Sequence, residues 1–507
     1  MTQRRRRTSA FAYLVDRSVG IRNDFQDAIY TEEAQFMQAA SRNFIYQQGK
    51  RVWTMAMDPV DDQYLLVGTA NSLLMLFDLA QLDDAAYTKQ SYDTSNPLLP
   101  ICSMRARAVT QHRQSRDQQR PTAQKLQYGL TAVDWYPVDA GILVSSSFDG
   151  TVKIWDANTF ETVSDFALGS KVFHAKFSPV AATHSLIAAT TAKGEVRLCD
   201  MATEGSLHSL LGHQDEVWTL AWSPENEFHL STGSRNGEIR MWDIRRSGST
   251  ACLLCLNHSG KAVVPGRAAI DTNPTLLKVS TKLGGPSTKR RRLDRDEAKA
   301  KTKVKRNDPH LAASVSSVVA HHAPVNALAY TPDGRFLLSS GLDHRMRLWH
   351  GKTGEHLFVH YDETKNHVHG RAMQMAVVQE GRSARDSSIV FHPNGKDGQL
   401  ASYPVFGSDT GKPLTHFTAH YQQISSCVYR KSHRELYTGG EDGLIMRWTP
   451  TPVRIGPRPD LEADGDVEAE KGSEPPLGVA DGDVDAWSDE DDDGPPADLF
   501  VPPILRQ

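Results

Sequence analysis

The sequence predicts an all-β chain in which seven four-stranded sheets close into a ring. Two recurring marks predict it. One is a turn dipeptide followed, six residues after its first member, by a bulky or apolar residue. The other is a proline just beyond an aromatic residue or methionine. The turn pairs are Asn71-Ser72, Asp149-Gly150, Lys193-Gly194, Asn236-Gly237, Asp343-His344, Asp397-Gly398 and Asp442-Gly443. Their partners are Phe77, Trp155, Cys199, Trp242, Trp349, Tyr403 and Trp448, which makes seven copies. Asn or Asp followed by Gly tolerates the positive φ that two-residue hairpin turns need. The run after the turn alternates, as in Thr151-Val152-Lys153-Ile154-Trp155, so alternate side chains face a neighbouring sheet.

The proline mark appears as Met57-Asp58-Pro59, Trp135-Tyr136-Pro137, Phe177-Ser178-Pro179, Trp222-Ser223-Pro224 and Tyr330-Thr331-Pro332. Proline donates no ladder hydrogen bond and so marks a strand end. Spacings of 43 to 45 residues separate Trp155, Cys199 and Trp242, and again Tyr403 and Trp448. That period fits a four-stranded propeller blade. Seven blades make a closed ring, which removes open sheet edges. The seven-bladed β-propeller is placed at 46–452. Phe77 to Trp155 is 78 residues and Trp242 to Trp349 is 107. The excess assigns polar inserts to about 83–124 and 259–318, projecting as loops.

Ahead of the ring, "FAYLVDRSVG" is a short apolar segment. Residues 27–45 place Ile29, Glu33, Phe36, Met37, Ala40 and Phe44 near one helical face, so short helices are expected in 1–45. They either cap the ring or dock on a partner. The tail from 453 is rich in Pro, Gly and acids. Asp460 to Asp493 carries fifteen acids and one Lys, a composition that predicts disorder.

The formal net charge is −4 over 507 residues, with five cysteines. Neither a polyanion, a disulfide framework nor a spanning helix is indicated. A soluble intracellular protein with no membrane partner is expected. Lys289 to Arg306 carries ten Lys or Arg against three acids. Its two clusters, Lys289, Arg290, Arg291 and Arg292, then Lys303, Lys305 and Arg306, read as a bipartite nuclear localisation signal. A nuclear protein follows from that. These basic blocks lie outside the ring, so no strong direct binding of nucleic acid is expected.

No phosphate-binding Gly-rich loop, Gly-x-Ser-x-Gly or His-Glu-x-x-His is present. Cys252-x-x-Cys255 with His258 is the single metal-like spacing, and it lacks a fourth ligand. The expectation is therefore a non-catalytic binding protein with no catalytic residues, no metal and no cofactor.

The Trp-Asp pairs at 155–156 and 242–243, with His213, His321 and His420 upstream of three of the aromatics, resemble WD-repeat propellers. In that class the His, the turn Asp and the Trp share one internal hydrogen-bond network. The blades "TAVDWYPVDAGILVSSSFDGTVKIWD", "EVWTLAWSPENEFHLSTGSRNGEIRMWDIRR", "GRFLLSSGLDHRMRLWH" and "RELYTGGEDGLIMRW", with "DAWSDED" in the tail, are more specifically similar to the Cockayne syndrome A family. The likeness covers most of residues 50–450. The two inserts are longer than that family's pattern.

The resemblance implies a substrate receptor of a cullin-4 RING ubiquitin ligase. Such a receptor binds the damage-specific DNA-binding protein 1 adaptor, and cullin-4 and the RING subunit through it. It would act in transcription-coupled nucleotide excision repair at stalled RNA polymerase II, with the Cockayne syndrome B ATPase. The resemblance also marks the docking blade, by a Trp-Asp followed two residues later by Arg. Here that is Trp242-Asp243-Ile244-Arg245-Arg246, with the contact expected from Arg246. It adds the N-terminal segment, with Phe11, Leu14 and Val15 as candidates. The ring's opposite face would take substrate. A chromatin or histone-binding scaffold without the ligase is the competing reading.

Overall fold

A computed structural model of the chain describes residues 37–45, 51–82, 98–106, 128–180, 182–246, 248–264, 318–362, 364–379, 388–406, 411–418 and 420–450. Over these residues the chain is nearly all strand. It forms seven sheets, the blades of a propeller. The first strand, β1 (Met37–Ile45), belongs to the last blade. Blade 1 is β2 (Val52–Met57), β3 (Tyr64–Thr69), β4 (Leu73–Asp78) and β5 (Cys102–Arg105). Blade 2 is β6 (Leu130–Trp135), β7 (Ile142–Ser147), β8 (Thr151–Asp156) and β9 (Thr162–Ala167). Blade 3 is β10 (Val172–Phe177), β11 (Leu186–Thr191), β12 (Glu195–Asp200) and β13 (Gly205–Leu211). Blade 4 is β14 (Val217–Trp222), β15 (His229–Ser234), β16 (Ile239–Asp243) and β17 (Cys252–Cys255). Blade 5 is β18 (Val325–Tyr330), β19 (Phe336–Gly341) and β20 (Arg345–His350). Blade 6 is β21 (Ala376–Gln379), β22 (Ser388–Asn394), β23 (Gln399–Pro404) and β24 (Thr415–Thr418). Blade 7 is β25 (Ile424–Arg430), β26 (Glu435–Gly440) and β27 (Leu444–Pro450), completed by β1.

Both recurring marks have the geometry they imply. All seven turn residues take positive φ: Ser72 at 60°, Gly150 at 89°, Gly194 at 76°, Gly237 at 88°, His344 at 56°, Gly398 at 66° and Gly443 at 80°. At Gly237 a side chain is excluded twice over. Its conformation disfavours one, and a Cβ there would lie 2.0 Å from the His321 carbonyl oxygen. The strands β2, β6, β10, β14 and β18 each end two residues before their proline. The third-strand residues Phe77, Trp155, Cys199, Trp242, Trp349, Tyr403 and Trp448 are all buried.

The core is a series of wedges between neighbouring blades. Ala56, Leu66 and Leu74 of blade 1 pack with Val133, Trp135 and Trp155 of blade 2. Val52, Leu65 and Phe77 of blade 1 pack with Tyr437 and Ile445 of blade 7, so the wedges continue across the joint between the last blade and the first. The first strands of the blades touch in succession and line the ring's axis.

Three expectations are corrected. A helix was expected across 27–45, and the ring was expected to begin at 46. Residues 37–45 instead form β1, which runs antiparallel to β27 from Met37 opposite Pro450 to Ile45 opposite Leu444. Without β1 the outer edge of β27 would be unpaired, and an open strand edge is what closure removes. Four strands were expected in every blade. Blade 5 has three, because residues 354–357 divide their hydrogen bonds. Leu357 N–H donates to the Leu348 carbonyl at 3.0 Å, while His356 N–H donates to the Gly260 carbonyl at 2.8 Å. The insert at 83–124 was expected to be loop throughout, yet it contains β5, the outer strand of blade 1. The rest of 1–45, including Phe11, Leu14 and Val15, lies outside the described residues. So do the basic run 289–306 and the tail 453–507. No helix among the described residues is long and apolar enough to cross a membrane.

Candidate functional site

Antiparallel blades give the ring two unlike ends. One carries the turns between second and third strands together with the blade-to-blade connections. The other carries the proline turns and the loops that leave third strands. The Arg245-Arg246 pair follows β16 and therefore sits on the proline end.

Asp243 organises this site. Its side chain is 5% exposed. Arg245 reaches it as a two-pronged fork, with Nε donating to Oδ1 at 3.0 Å and Nη2 to Oδ2 at 2.9 Å. The Arg245 backbone N–H donates to Oδ1 as well, at 3.1 Å. The guanidinium lies over the Phe228 ring, 4.6 Å from its centroid. Burial pushes the Asp243 pKa upward, but the Arg245 hydrogen bonds and charge, with His229 opposite, hold it below the ordinary carboxylate range. The same bonds raise Arg245. Burial lowers the His229 pKa against the pull of Asp243.

The two arginines are equally open, at 56% for Arg245 and 57% for Arg246. Order separates them. Arg246 reaches Asp243 only at 3.6 Å through Nε. The sequence reading expected the docking contact from Arg246. The structure gives the fixed, stacked guanidinium to Arg245, two residues after Asp243. Such a fork is pre-organised to receive carboxylate or carbonyl oxygens. Trp242 takes no part in the surface. It is fully buried, and its Nε1 donates to Thr232 Oγ1 at 2.7 Å.

The neighbouring loops are tied to this platform. Glu227 accepts from the N–H groups of Ala182 at 2.8 Å and Thr183 at 3.0 Å, joining blades 3 and 4. Lys352 of blade 5 meets Glu225 at 2.6 Å. Val60, Val138 and Val180, each just after a proline turn, are exposed on the same end. Sequence reasoning missed Phe228 and Glu227, because nothing local marks a residue that supports a distant turn.

His213, His321 and His420 behave as interior struts. His321 bonds Ser339 Oγ through Nε2 at 2.7 Å and Asp343 through Nδ1 at 2.9 Å, and Trp349 Nε1 donates to the same Oγ at 2.8 Å. His420, Asp442, Thr438 and Trp448 repeat the arrangement. In blade 4 the turn residue is Asn236, and Glu238 replaces the acid, 3.4 Å from His213. The Cys252 and Cys255 sulfurs lie 4.0 Å apart. His258 Nδ1 is engaged with the Val319 carbonyl at 2.8 Å. Among the described residues no group of three His, Cys, Asp or Glu side chains is gathered as for a metal.

Four segments, 123–156, 204–243, 313–350 and 411–449, match the family described as WD domain, G-beta repeat. They are the segments of blades 2, 4, 5 and 7, the four whose third strand carries Trp. The chain is a seven-bladed β-propeller protein of the WD-repeat class. Among known proteins it is similar to the WD repeat-containing protein ATCSA-1 of Arabidopsis thaliana, 29% identical over 84% of this chain and 92% of that one. It is also similar to Radiation-sensitive protein 28 of Saccharomyces cerevisiae, 34% identical over 23% of this chain and 24% of that one. A ribosome biogenesis protein, the WDR12 homolog of Drosophila persimilis, is 32% identical over 24% of this chain and 29% of its own length.

Proposed function

We propose that this protein is the substrate-recognition subunit of a cullin-4 RING ubiquitin ligase in DNA repair. In this reading it docks on the damage-specific DNA-binding protein 1 adaptor by its proline end and performs no chemistry itself. The observation that carries the reading is the Arg245 fork on Asp243, half-exposed and stacked on Phe228. The names of two relatives, ATCSA-1 and Radiation-sensitive protein 28, support a repair role. Cullin-4 and the RING subunit join through the adaptor, and RNA polymerase II and the Cockayne syndrome B ATPase are the partners at the lesion. The basic run 289–306 directs the protein to the nucleus. A fluorescent fusion that stays nuclear without that run would remove this part.

Calorimetric titration with the adaptor tests the docking. Arg245→Ala is expected to weaken binding tenfold or more, about 1.4 kcal/mol, since a central, ordered arginine acts as a hot spot. Arg246→Ala is expected to weaken it less. Unchanged melting excludes a folding defect. No binding by the wild type sinks the ligase reading and favours a chromatin scaffold.

A further inference from the structure

The opposite end of the ring is built from different chemistry. Four aromatic rings follow one another around the axis: Trp53 on β2, Phe148 before the blade 2 turn, Phe173 on β10 and Trp218 on β14. Their successive centroids are 5.8, 5.4 and 6.1 Å apart. Trp53 also lines an axial cavity of about 250 Å³, which continues past Lys176 and Trp222 to Pro179, Pro224 and Pro332 at the proline end. The Arg371 guanidinium lies 4.9 Å from the Trp53 ring centroid and is held by Ser425 and Glu441.

Beyond Arg371 a cationic patch begins. Residues 364–371 cross this end between the blade 5 and blade 6 turns. Thr364 Oγ1 donates to the His344 carbonyl, and Gly395 N–H to the Lys365 carbonyl, both at 2.8 Å. The crossing sets Lys365, His367 and His369 beside His344 and Arg345 of one turn and Lys396 of the other. The His344 and His367 rings are 4.7 Å apart. All of these are exposed except His367, which is half-buried. Burial lowers the His367 pKa, and the positive neighbours His344, Lys396, His369 and Lys365 lower it further. His344 holds φ 56° at the position where five blades place glycine, a conformation that a residue with a Cβ rarely adopts.

Among the described residues, two of the four nearby acids are committed. Asp343 is bound by His321 and Arg347, and Glu441 by Arg371. Asp362 lies 3.4 Å from His360, and Asp397 is exposed beside Lys396.

We propose that this end binds an acidic peptide segment of a partner protein. Its carboxylates meet the patch of His344, Arg345, Lys365, His369 and Lys396, and an apolar side chain packs against the half-buried Trp53 ring. A nucleic acid fits less well. Single strands need open ring faces on which bases stack, but these rings meet edge to face, at 73° and 82°. Phe173 and Trp218 are only 4% and 6% exposed. The surface is independent of the adaptor reading, since it lies at the other end of the ring.

The test is fluorescence anisotropy of the full-length protein with a labelled peptide of about twelve residues, Glu and Asp around a central Leu. Binding is expected, weakened at least tenfold in the Lys365→Glu/Lys396→Glu variant. It is also expected to fade as salt rises to about 0.5 M, where exposed charges are screened. Arg246→Ala is expected to bind as the wild type does, whether or not it docks on the adaptor. Absence of binding overturns the proposal, as does equal binding by the double variant or by a Gln/Asn version of the peptide. Tighter binding of an oligothymidylate of about twelve nucleotides overturns it in favour of nucleic acid.

Discussion

Two serines on equivalent strands permit a measurement of the interior struts. Ser145 on β7 and Ser339 on β19 are 2% and 0% exposed. Ser145 Oγ accepts from Trp155 Nε1 at 2.8 Å. Ser339 Oγ accepts from Trp349 Nε1 at the same distance and also bonds His321 Nε2 at 2.7 Å. Ser→Ala removes the same hydroxyl at both sites and leaves the backbone alone. In blade 2 it orphans one indole N–H. In blade 5 it orphans an indole N–H and an imidazole nitrogen, both fully buried. Each buried group left unpaired costs about 1–3 kcal/mol. Ser145→Ala is therefore expected to destabilise by about 1–3 kcal/mol and Ser339→Ala by about 2–6 kcal/mol. The assay is urea unfolding of both variants and the wild type, followed by tryptophan fluorescence. Equal losses within about 0.5 kcal/mol, or a larger loss for Ser145→Ala, would refute the view that the histidine adds an energetic link of its own.

Removing residues 1–36 leaves β1 in place, whereas removing 1–45 takes β1 away and exposes the edge of β27. The longer truncation is expected to melt lower and to associate on size exclusion, and identical behaviour of the two would contradict closure by β1. Acid is expected to destabilise the ring through its buried neutral histidines. Burial lowers His392 to about 4 and His174 to about 3, whereas an unfolded histidine titrates near about 6.5. Above pH ~6.5 their contribution is complete, and as pH falls the unfolded chain takes up protons that the folded one refuses, costing about 2 kcal/mol per histidine at pH ~5. His392→Asn is expected to flatten the fall in unfolding free energy between pH 7 and 5 by one such share, and an unaltered slope would refute the assignment.

What the sequence disclosed follows from how local each constraint is. A positive φ at Gly237 or Gly443 is a demand on one residue, so glycine writes it in the chain. The strand ends at Pro137 and Pro224 are equally local. The role of 37–45 is different. Its pairing partner, Leu444–Pro450, stands at the far end of the sequence, and the local spacing of Met37, Ala40 and Phe44 suits a helix. The missing strand of blade 5 was hidden because the bonds of residues 354–357 go partly to Gly260. Arg245 and Arg246 are neighbours of one type. Only the reach of Asp243 and Phe228 in space distinguishes the clamped guanidinium from the loose one. The cationic patch was invisible for a further reason. It gathers 344–345, 365–369 and 396, three stretches of ordinary composition.

The pairing of β1 with β27 also sets a schedule for biosynthesis. Among the described strands, the one made first waits for the one made last, so six blades emerge and pack while the seventh is a gap. Until β27 leaves the ribosome, β1 and the flank of blade 1 that Tyr437 and Ile445 later cover are sticky surfaces on a nascent chain. Long-range pairing of this kind is slow, and unpaired edges held open invite association with other chains. The propeller's vulnerable period is therefore its synthesis, and its final step is a clasp between the first and last described strands of the ring.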